Sequence, residues 1–314
     1  MFTNKKILIT SLLASAMMFT ACQPQQDAKK TEAEQSKKPE QNLQLIGETQ
    51  KLELNLPPCK GSNCPDISIE RLSSNQPFID KIIDQHIIEL LQQILPDSEM
   101  ASASNVNVAV EAAASDAKQE TIMTPKQSFE KQLIPFRNAM ITYDQELKAL
   151  NSSHTISIMI KPKILSSDGE LVTVVLNGSE YLGGAHGSSS QQYFNFSLKQ
   201  KKLVTLKDII EKNQLPALKE KAYQAFKAWI VDSQLAQDPQ EYEQMWKFEL
   251  SHNYYLTSQG LILQYAEYQI GPYVAGLPRL IIPYQALQGI LKPQYFPQNF
   301  VEAEASTVPS SEIK

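Results

Sequence analysis

The segment GLILQYAEYQIGPYVAG at residues 260–276, followed by LIIPY at residues 280–284, decides the fold of this 314-residue chain. The apolar start of the first segment and the whole of the second predict two strands, and Ile270-Gly271-Pro272-Tyr273 interrupts the pattern between them. Proline fixes φ and glycine adopts conformations that other residues avoid, so we expect a stiff connecting loop. The loop presents Tyr268 and Tyr273, which either anchor a ligand or pack on the neighbouring sheet, and the sequence favours neither alternative.

Outside this segment the chain alternates between helix-type and strand-type patterns. Ser166-Ser167-Asp168-Gly169 predicts the turn of a hairpin between two of the strands. We therefore expect an α+β fold, with antiparallel sheets and packed helices in two lobes. The expected strands are residues 66–70, 155–165, 170–176, 193–198, 248–257, 260–268 and 280–283, and the expected helices are residues 78–95, 128–150 (interrupted near Pro135), 205–208, 215–235 and 284–291.

The N-terminal residues have the pattern of a lipoprotein signal peptide, residues 1–21. Two lysines precede an apolar run at residues 7–19, whose helical length of about 20 Å is too short to cross the hydrocarbon core of a bilayer. The run ends in Phe19-Thr20-Ala21-Cys22, which is similar to a lipobox, so we expect acylation of Cys22. An ordinary secretory signal with an incidental cysteine is the alternative. Gln23 favours the outer membrane over retention at the inner membrane, if the cell is Gram-negative.

Composition divides the remainder of the chain into folded and unfolded parts. Residues 22–48 are mostly Gln, Lys, Glu and Pro, and cannot bury enough apolar surface to offset their ordering entropy, so we expect a disordered tether. A mobile insertion is expected at about residues 97–126 and a polar tail at residues 293–314. The folded part is predicted to comprise an N-terminal domain, residues 49–180, and a C-terminal domain, residues 181–292.

The two cysteines that follow the lipobox predict a disulfide between Cys59 and Cys64. They stand in PPCKGSNCP at residues 57–65, and an exported pair so close in sequence is typical of a small disulfide loop. A metal site would need further Cys or His ligands nearby, and none lies within 20 residues on either side. A redox-active pair usually has two intervening residues rather than four.

Charge and motifs exclude several classes of function. The chain has 29 basic and 34 acidic residues, which argues against a nucleic-acid ligand. The four histidines are far apart in sequence, and Ser188-Ser189-Ser190 lacks a nucleophile elbow, so we expect no catalytic residue, no metal site and no cofactor. Gly183 and Gly184 predict a tight turn, and the adjacent His186 could contact a ligand or fill that turn. The other histidines are His86, His154 and His252.

Two segments together resemble a known family. YLGGAHG at residues 181–187, with the strand and helix start that follow it, and the segment at residues 260–276 are similar to the extracellular domain shared by the anti-sigma factor RsiV and the non-catalytic region of the peptidoglycan deacetylase PdaC. The resemblance covers about residues 48–292. It implies a small PdaC-like N-terminal lobe that contains the cysteine loop and an RsiV-like C-terminal lobe.

The resemblance also implies a recognition role, since the RsiV domain binds lysozyme and this chain lacks the deacetylase motif. We expect a lipid-anchored module of the cell envelope, periplasmic or surface-facing, that recognises a protein or peptidoglycan-related ligand. Lysozyme or another wall hydrolase is the candidate partner, and Gly183, Gly184, His186, Tyr268 and Tyr273 are the candidate contacts. Two alternatives are an envelope hydrolase or peptidoglycan-modifying enzyme, and an immunity or inhibitor lipoprotein that acts against a wall-degrading enzyme.

Overall fold

A six-stranded sheet organises the first part of the computed structural model, which describes residues 43–60, 63–95, 123–150 and 155–300. The strands lie side by side in chain order, and neighbours are antiparallel except β2 and β3, which are parallel. We expected antiparallel pairing throughout, and the parallel pair corrects that expectation. Two parallel strands need a crossover connection, and here helices between β2 and β3 provide it. The strands are β1 Gly47–Lys51, β2 Asp66–Ser74, β3 Ser157–Ser166, β4 Val172–Tyr181, β5 Ser188–Ser197 and β6 Lys202–Leu203.

Within the described residues three helices accompany this sheet: α1 Pro77–Ile94, α2 Pro125–Gln132 and α3 Ile134–Ala149. The predicted helix at 78–95 is confirmed as α1, which buries the apolar residues that recur every three or four positions. The predicted interruption near Pro135 is also confirmed, because α2 ends at Gln132 and the proline lies in the first turn of α3, where its missing N–H is tolerated. These elements share one hydrophobic core, formed by buried residues between Leu45 and Leu198.

A second core, between Val204 and Leu291, is built around a three-stranded antiparallel sheet. Its strands are β7 Tyr254–Leu256, β8 Gly260–Gln264 and β9 Arg279–Pro283, and its helices are α4 Leu206–Ile209, α5 Leu215–Asp232 and α6 Pro239–Met245. Residues on one face of α5 are buried in this core: Leu218, Ala222, Phe226 and Ile230. The α+β fold class is therefore confirmed, with one mixed and one antiparallel sheet.

Several predicted boundaries differ from the structure. The strand expected at 248–257 is limited to β7, and the one expected at 260–268 ends at Gln264. A single 3-10 turn, Tyr284–Leu287, replaces the helix expected at 284–291. Helix α6 was not predicted, although Asp238 before Pro239 is a helix-start signal and the Asp238 side chain accepts a hydrogen bond from the Gln240 N–H at 2.8 Å.

The ends of the folded part also extend further than expected. The last six residues of the predicted tether, 43–48, belong to the fold, because Leu45 is buried and Gly47 begins β1. At the other end Phe296 and Phe300 pack on Tyr284, with ring centroids 5.5 and 6.0 Å away. Cys22, the signal peptide, most of the insertion at 97–126 and the end of the tail at 293–314 lie outside the described residues.

The predicted boundary between residues 180 and 181 stays a prediction. The six-stranded sheet crosses that position, since β4 and β5 are paired neighbours from Val172–Phe196 to Glu180–Ser188. Cys59 and Cys64 form the predicted disulfide, with Cα atoms 5.7 Å apart. Among the described helices, none combines the length and the apolar character needed to cross a membrane.

Candidate functional site

Two loops that are far apart in sequence meet beside the sheet edge at β5. The first joins β4 to β5 and carries His186; the second joins β8 to β9 and carries Tyr268 and Tyr273. The His186 ring stacks on the Tyr273 ring with centroids 4.1 Å apart, and the Tyr268 and Tyr273 centroids are 5.8 Å apart. We call these three side chains the aromatic platform. The structure thus brings together three residues that the sequence proposed from two separate motifs.

Hydrogen bonds hold the platform in one arrangement. Nδ1 of His186 lies 2.9 Å from the Gly187 carbonyl oxygen, which can only accept, so Nδ1 carries the proton. In the neutral ring Nε2 is then an acceptor, and the Tyr268 hydroxyl at 3.2 Å donates to it. The Tyr273 hydroxyl donates to the same Gly187 carbonyl oxygen at 3.0 Å. Each ring is therefore oriented by a polar contact at its edge, which leaves ring surface available.

The two tyrosines remain on the surface of the protein. Tyr268 is 49% exposed and Tyr273 is 38% exposed, whereas Tyr265 on the same connection is 1% exposed. Val274, next to Tyr273, is also strongly exposed. The platform rings contact one another and keep part of their surface accessible to a ligand.

The backbone around Tyr268 is unusual for a bulky residue. Its φ is +62°, in the left-handed region where non-glycine residues are uncommon. The turn around it is held by Gln269, whose side-chain oxygen accepts from the Ala266 N–H at 3.0 Å. A bulky residue kept in this conformation by its surroundings is a feature that clusters at binding and catalytic sites.

Glycines allow the platform loops to approach their neighbours. A Cβ added at Gly187 would lie 2.7 Å from the Glu180 carbonyl oxygen, and one added at Gly271 would lie 2.7 Å from the Tyr242 hydroxyl oxygen. Gly183 has a φ of +87°, as a tight turn requires, while an added Cβ at Gly184 would have no neighbour closer than 4.0 Å. Gly183 therefore shapes the loop of His186, and Gly184 has room for a side chain.

A groove begins at the platform and continues along the edge of β5. It consists of two adjoining cavities of about 260 and 490 Å³, the first beside His186 and Tyr268 and the second beside Tyr193. One wall is the C-terminal end of α1, and the opposite wall comes from residues 251–253 and 264–269. We call this the platform groove. Both cavities are lined by Leu90, Gln93, Ser190 and Ala266.

The edge of β5 inside the groove is covered by side chains rather than by another strand. Asn253 accepts from the Tyr193 N–H at 2.8 Å and donates to the Gln191 carbonyl oxygen at 2.7 Å. Glu267 accepts from the Ser189 N–H at 3.0 Å. Asn253 was missed by sequence reasoning, and no local pattern identifies it, because its role depends on a strand some 60 residues earlier.

Two carboxylates lie at the platform end of the groove. Burial raises the pKa of Glu180, and the negative charge of Glu267 raises it further. Glu180 and Glu267 both line the smaller cavity together with His186 and Tyr268. This end of the groove is therefore acidic and partly shielded from water.

A second aromatic pair lies at the other end of the groove. The rings of Tyr193 and Tyr255 stack with centroids 4.0 Å apart and an interplanar angle of 12°. Burial, and after it the neighbouring Tyr255, raise the pKa of Tyr193 to about 12. Arg279 donates to the Gln191 side-chain oxygen at 2.7 Å and thereby anchors this end to β9.

The remaining candidates for chemistry are dispersed. His86 lies on α1 with its Nδ1 2.8 Å from a Glu89 oxygen, and His252 lines the larger cavity. Ser188-Ser189-Ser190 is part of β5 rather than of a strand-to-helix turn. In the described part of the chain, no group of three or more His, Cys, Asp or Glu side chains is arranged to hold a metal ion.

Comparison with known proteins finds a family model that matches much of the second core. Residues 207–285 match the DUF3298 model, which is described as a protein of unknown function. The matched segment contains Tyr268 and Tyr273 but not His186. No curated protein matches the chain. The finer resemblance to RsiV and PdaC is not tested by these comparisons and stays a prediction.

The likeness to one solved structure extends beyond the matched segment. A crystal structure of a DUF3298 family protein from Pseudomonas aeruginosa PAO1 is 25% identical, with a TM-score of 0.54 over 81% of this chain and 95% of that chain. A member of the same family from Bacteroides fragilis NCTC 9343 is 17% identical, with a TM-score of 0.48 over 81% of this chain and 93% of that chain. The Pseudomonas structure supports a fold shared across both cores.

Proposed function

We propose that this chain is a lipid-anchored binding module of the cell envelope that recognises a protein or peptidoglycan-related ligand through the aromatic platform. The observation that carries the proposal is the convergence of His186, Tyr268 and Tyr273 on one exposed surface from loops more than 80 residues apart. Aromatic rings that are already oriented lose little conformational entropy on binding, which makes them effective anchors.

Charge favours a cationic partner such as lysozyme or another wall hydrolase. Removal of the signal peptide would take away two lysines and no acidic residue, leaving 27 basic and 34 acidic residues and a net charge of −7. An acidic module attracts a cationic protein at low ionic strength. The immunity or inhibitor hypothesis uses the same surface and differs only in the partner.

A pulldown from envelope extract, with lysozyme added as a control, tests the binding proposal. We expect the unmodified chain to retain a partner that the Tyr273→Ala variant loses. The matched control is Met245→Ala, which changes an exposed apolar side chain on α6. Equal retention by all three proteins would exclude the platform as the recognition surface.

The anchor is tested separately through Cys22. We propose that its acylation holds the protein at the outer membrane, with the predicted tether between lipid and fold; two or more acyl chains anchor stably. The Cys22→Ala variant should leave the membrane fraction. Sedimentation of this variant with membranes after a high-salt wash would contradict the lipid anchor.

An envelope hydrolase is the second candidate, and Glu180 is the observation that favours it. Two carboxylates in one cleft, with the pKa of one raised, can serve as an acid and a base for bond cleavage. Purified peptidoglycan incubated with the protein would then release soluble fragments, and Glu180→Gln would abolish that release without preventing binding. Absence of any release from the unmodified protein would exclude this candidate.

A further inference from the structure

We infer that the platform groove binds a glycan strand, with one sugar ring on the aromatic platform and further rings along β5 toward Tyr193. This inference rests on the proposed binding function and names the chemical class of its ligand: an uncharged oligosaccharide of hydroxyl- and acetamido-bearing sugars. A partner protein, which the proposed function also admits, is the competing occupant. The residues that line the groove favour a glycan over a protein, and a binding experiment distinguishes the two ligands.

Aromatic surface at both ends of the groove suits a chain of sugar rings. A pyranose ring has a face of C–H groups that packs on an aromatic ring, while its hydroxyl groups project from the ring edge. At one end Tyr268 lines the smaller cavity, with the exposed Tyr273 ring beside it, and at the other end Tyr193 lines the larger cavity with its ring stacked on Tyr255. From Ser188 to Tyr193 the strand extends about 17 Å, enough for more than one sugar ring.

Polar side chains between the two aromatic ends have hydrogen-bonding capacity to spare. Within the residues that the structure describes, the Gln93 and Gln192 amides make no hydrogen bond to another group of the protein, yet both line the groove. An amide offers two donors and an acceptor, which matches a hydroxyl or an acetamido group. Glu180 adds carboxylate acceptors at the platform end.

The charge of the lining argues against an anionic ligand. Of the described residues that line the two cavities, two are glutamates, two are histidines and none is Lys or Arg, while Arg279 lies behind the lining and donates to Gln191. A phosphate-rich polymer or a nucleic acid would therefore meet two carboxylates at the platform end, and the described lining holds no lysine or arginine of its own to pair with the phosphates. An uncharged polyol meets no such penalty.

The covered edge of β5 argues against an extended peptide as the occupant. A peptide that binds a sheet edge does so by adding a strand through backbone hydrogen bonds. Here the Ser189 and Tyr193 N–H groups and the Gln191 carbonyl already bond to Glu267 and Asn253. The groove is left with side-chain amides, hydroxyls and rings, which is the surface a glycan requires.

Binding of the N-acetylglucosamine tetramer to the detergent-solubilised full chain, measured by isothermal titration calorimetry, tests the inference. We expect saturable binding that Tyr268→Asn weakens about thirtyfold, as for loss of an aromatic anchor. Gln192→Ala should weaken it about fivefold, as for loss of one hydrogen bond. Met245→Ala should leave it unchanged. Trypsin-treated peptidoglycan sacculi, in a sedimentation assay, should rank the variants in the same order.

The outcomes separate this inference from the proposed function. If neither tetramer nor sacculi bind while an envelope protein is retained by a Tyr273-dependent contact, the glycan inference is overturned and the proposed function stands. If Tyr268→Asn and Gln192→Ala both bind the glycan as tightly as the unmodified chain does, the ligand lies elsewhere and the inference is again overturned. If neither glycan nor any envelope protein is bound, both fail.

Discussion

The Tyr268 hydroxyl lies 3.2 Å from Nε2 of His186, a residue 82 positions earlier in the chain. His186 follows β4 of the first sheet, and Tyr268 follows β8 of the second. The Tyr273 hydroxyl also donates to the Gly187 carbonyl oxygen, so two hydrogen bonds join the loops. The resulting surface contains residues of both loops. The chemistry of the site therefore depends on how the second sheet sits against the edge of the first.

Tyr273→Ala should lower affinity for the ligand about thirtyfold while changing the melting temperature little, because the ring is partly exposed and its loss opens no core cavity. Tyr265→Ala is the matched control: that ring is buried, and its removal should cost about 3–5 kcal/mol of the free energy of unfolding. Thermal unfolding and affinity should be measured on both proteins. A large fall in the melting temperature of Tyr273→Ala with unchanged affinity would assign the ring to packing instead.

Local sequence pattern identifies some elements of this fold and misses others. Helix α1 was predictable because one amphipathic segment contains its own periodicity, with Ile79, Ile83 and Ile87 on one face. Strand β1 was missed because it is a short edge strand whose composition resembles the preceding polar segment, and pairing with β2 supplies its stability. Predicted and observed boundaries differ most where a partner strand or helix sets the end of the element.

The residues of the site also fall into those that a local pattern identifies and those that only tertiary packing reveals. Tyr268, Tyr273 and His186 could be proposed individually, since each lies within three residues of a glycine that marks a turn. Their mutual contact could not be proposed, because it arises from tertiary packing between residues more than 80 apart. Asn253 and Gln192 carry no local signal at all, and only the placement of the β5 edge shows that they line a groove.

Tyr268→Asn should remove the platform ring without lowering stability. The φ of +62° is costly for tyrosine, and asparagine tolerates the left-handed region better than most residues. Tyr268→Val is the contrasting variant, since a β-branched residue there should destabilise the protein by about 1–2 kcal/mol. Urea unfolding of the two variants measures the difference. Equal stabilities would indicate that the turn relaxes to another conformation when the ring is absent.

Gly187→Ala should destabilise the protein by about 1–3 kcal/mol, because the added methyl group meets the Glu180 carbonyl oxygen at 2.7 Å and the backbone must move. Gly184→Ala, three residues earlier, is the matched control and should change stability by less than about 0.5 kcal/mol, since its nearest neighbour would be 4.0 Å away. Chemical denaturation gives both values. Two variants of equal stability would show that the loop is not confined by the contact with β4.

Glu180→Gln should raise stability at neutral pH, and the gain should disappear in acid. Burial and the charge of Glu267 raise the pKa of Glu180 in the folded state, so the folded protein holds this proton more tightly than the unfolded chain does. Stability of the unmodified protein therefore falls as pH rises from the ordinary glutamate pKa through the raised one. Above that pH range the charged side chain opposes folding. Below it the side chain is protonated in both the folded and the unfolded protein, and the free energy of unfolding is not reduced.

The pH series for this substitution separates charge from packing. The neutral amide that replaces the Glu180 carboxyl never carries a charge, so the advantage of the variant exists only on the alkaline side of that pH range. Thermal unfolding at a series of pH values measures the difference between the two proteins. In the Glu267→Gln background the gain should be smaller, because the repulsion is then absent and only the burial contribution remains. A gain of equal size at acidic and neutral pH would mean that the substitution acts through packing and not through charge.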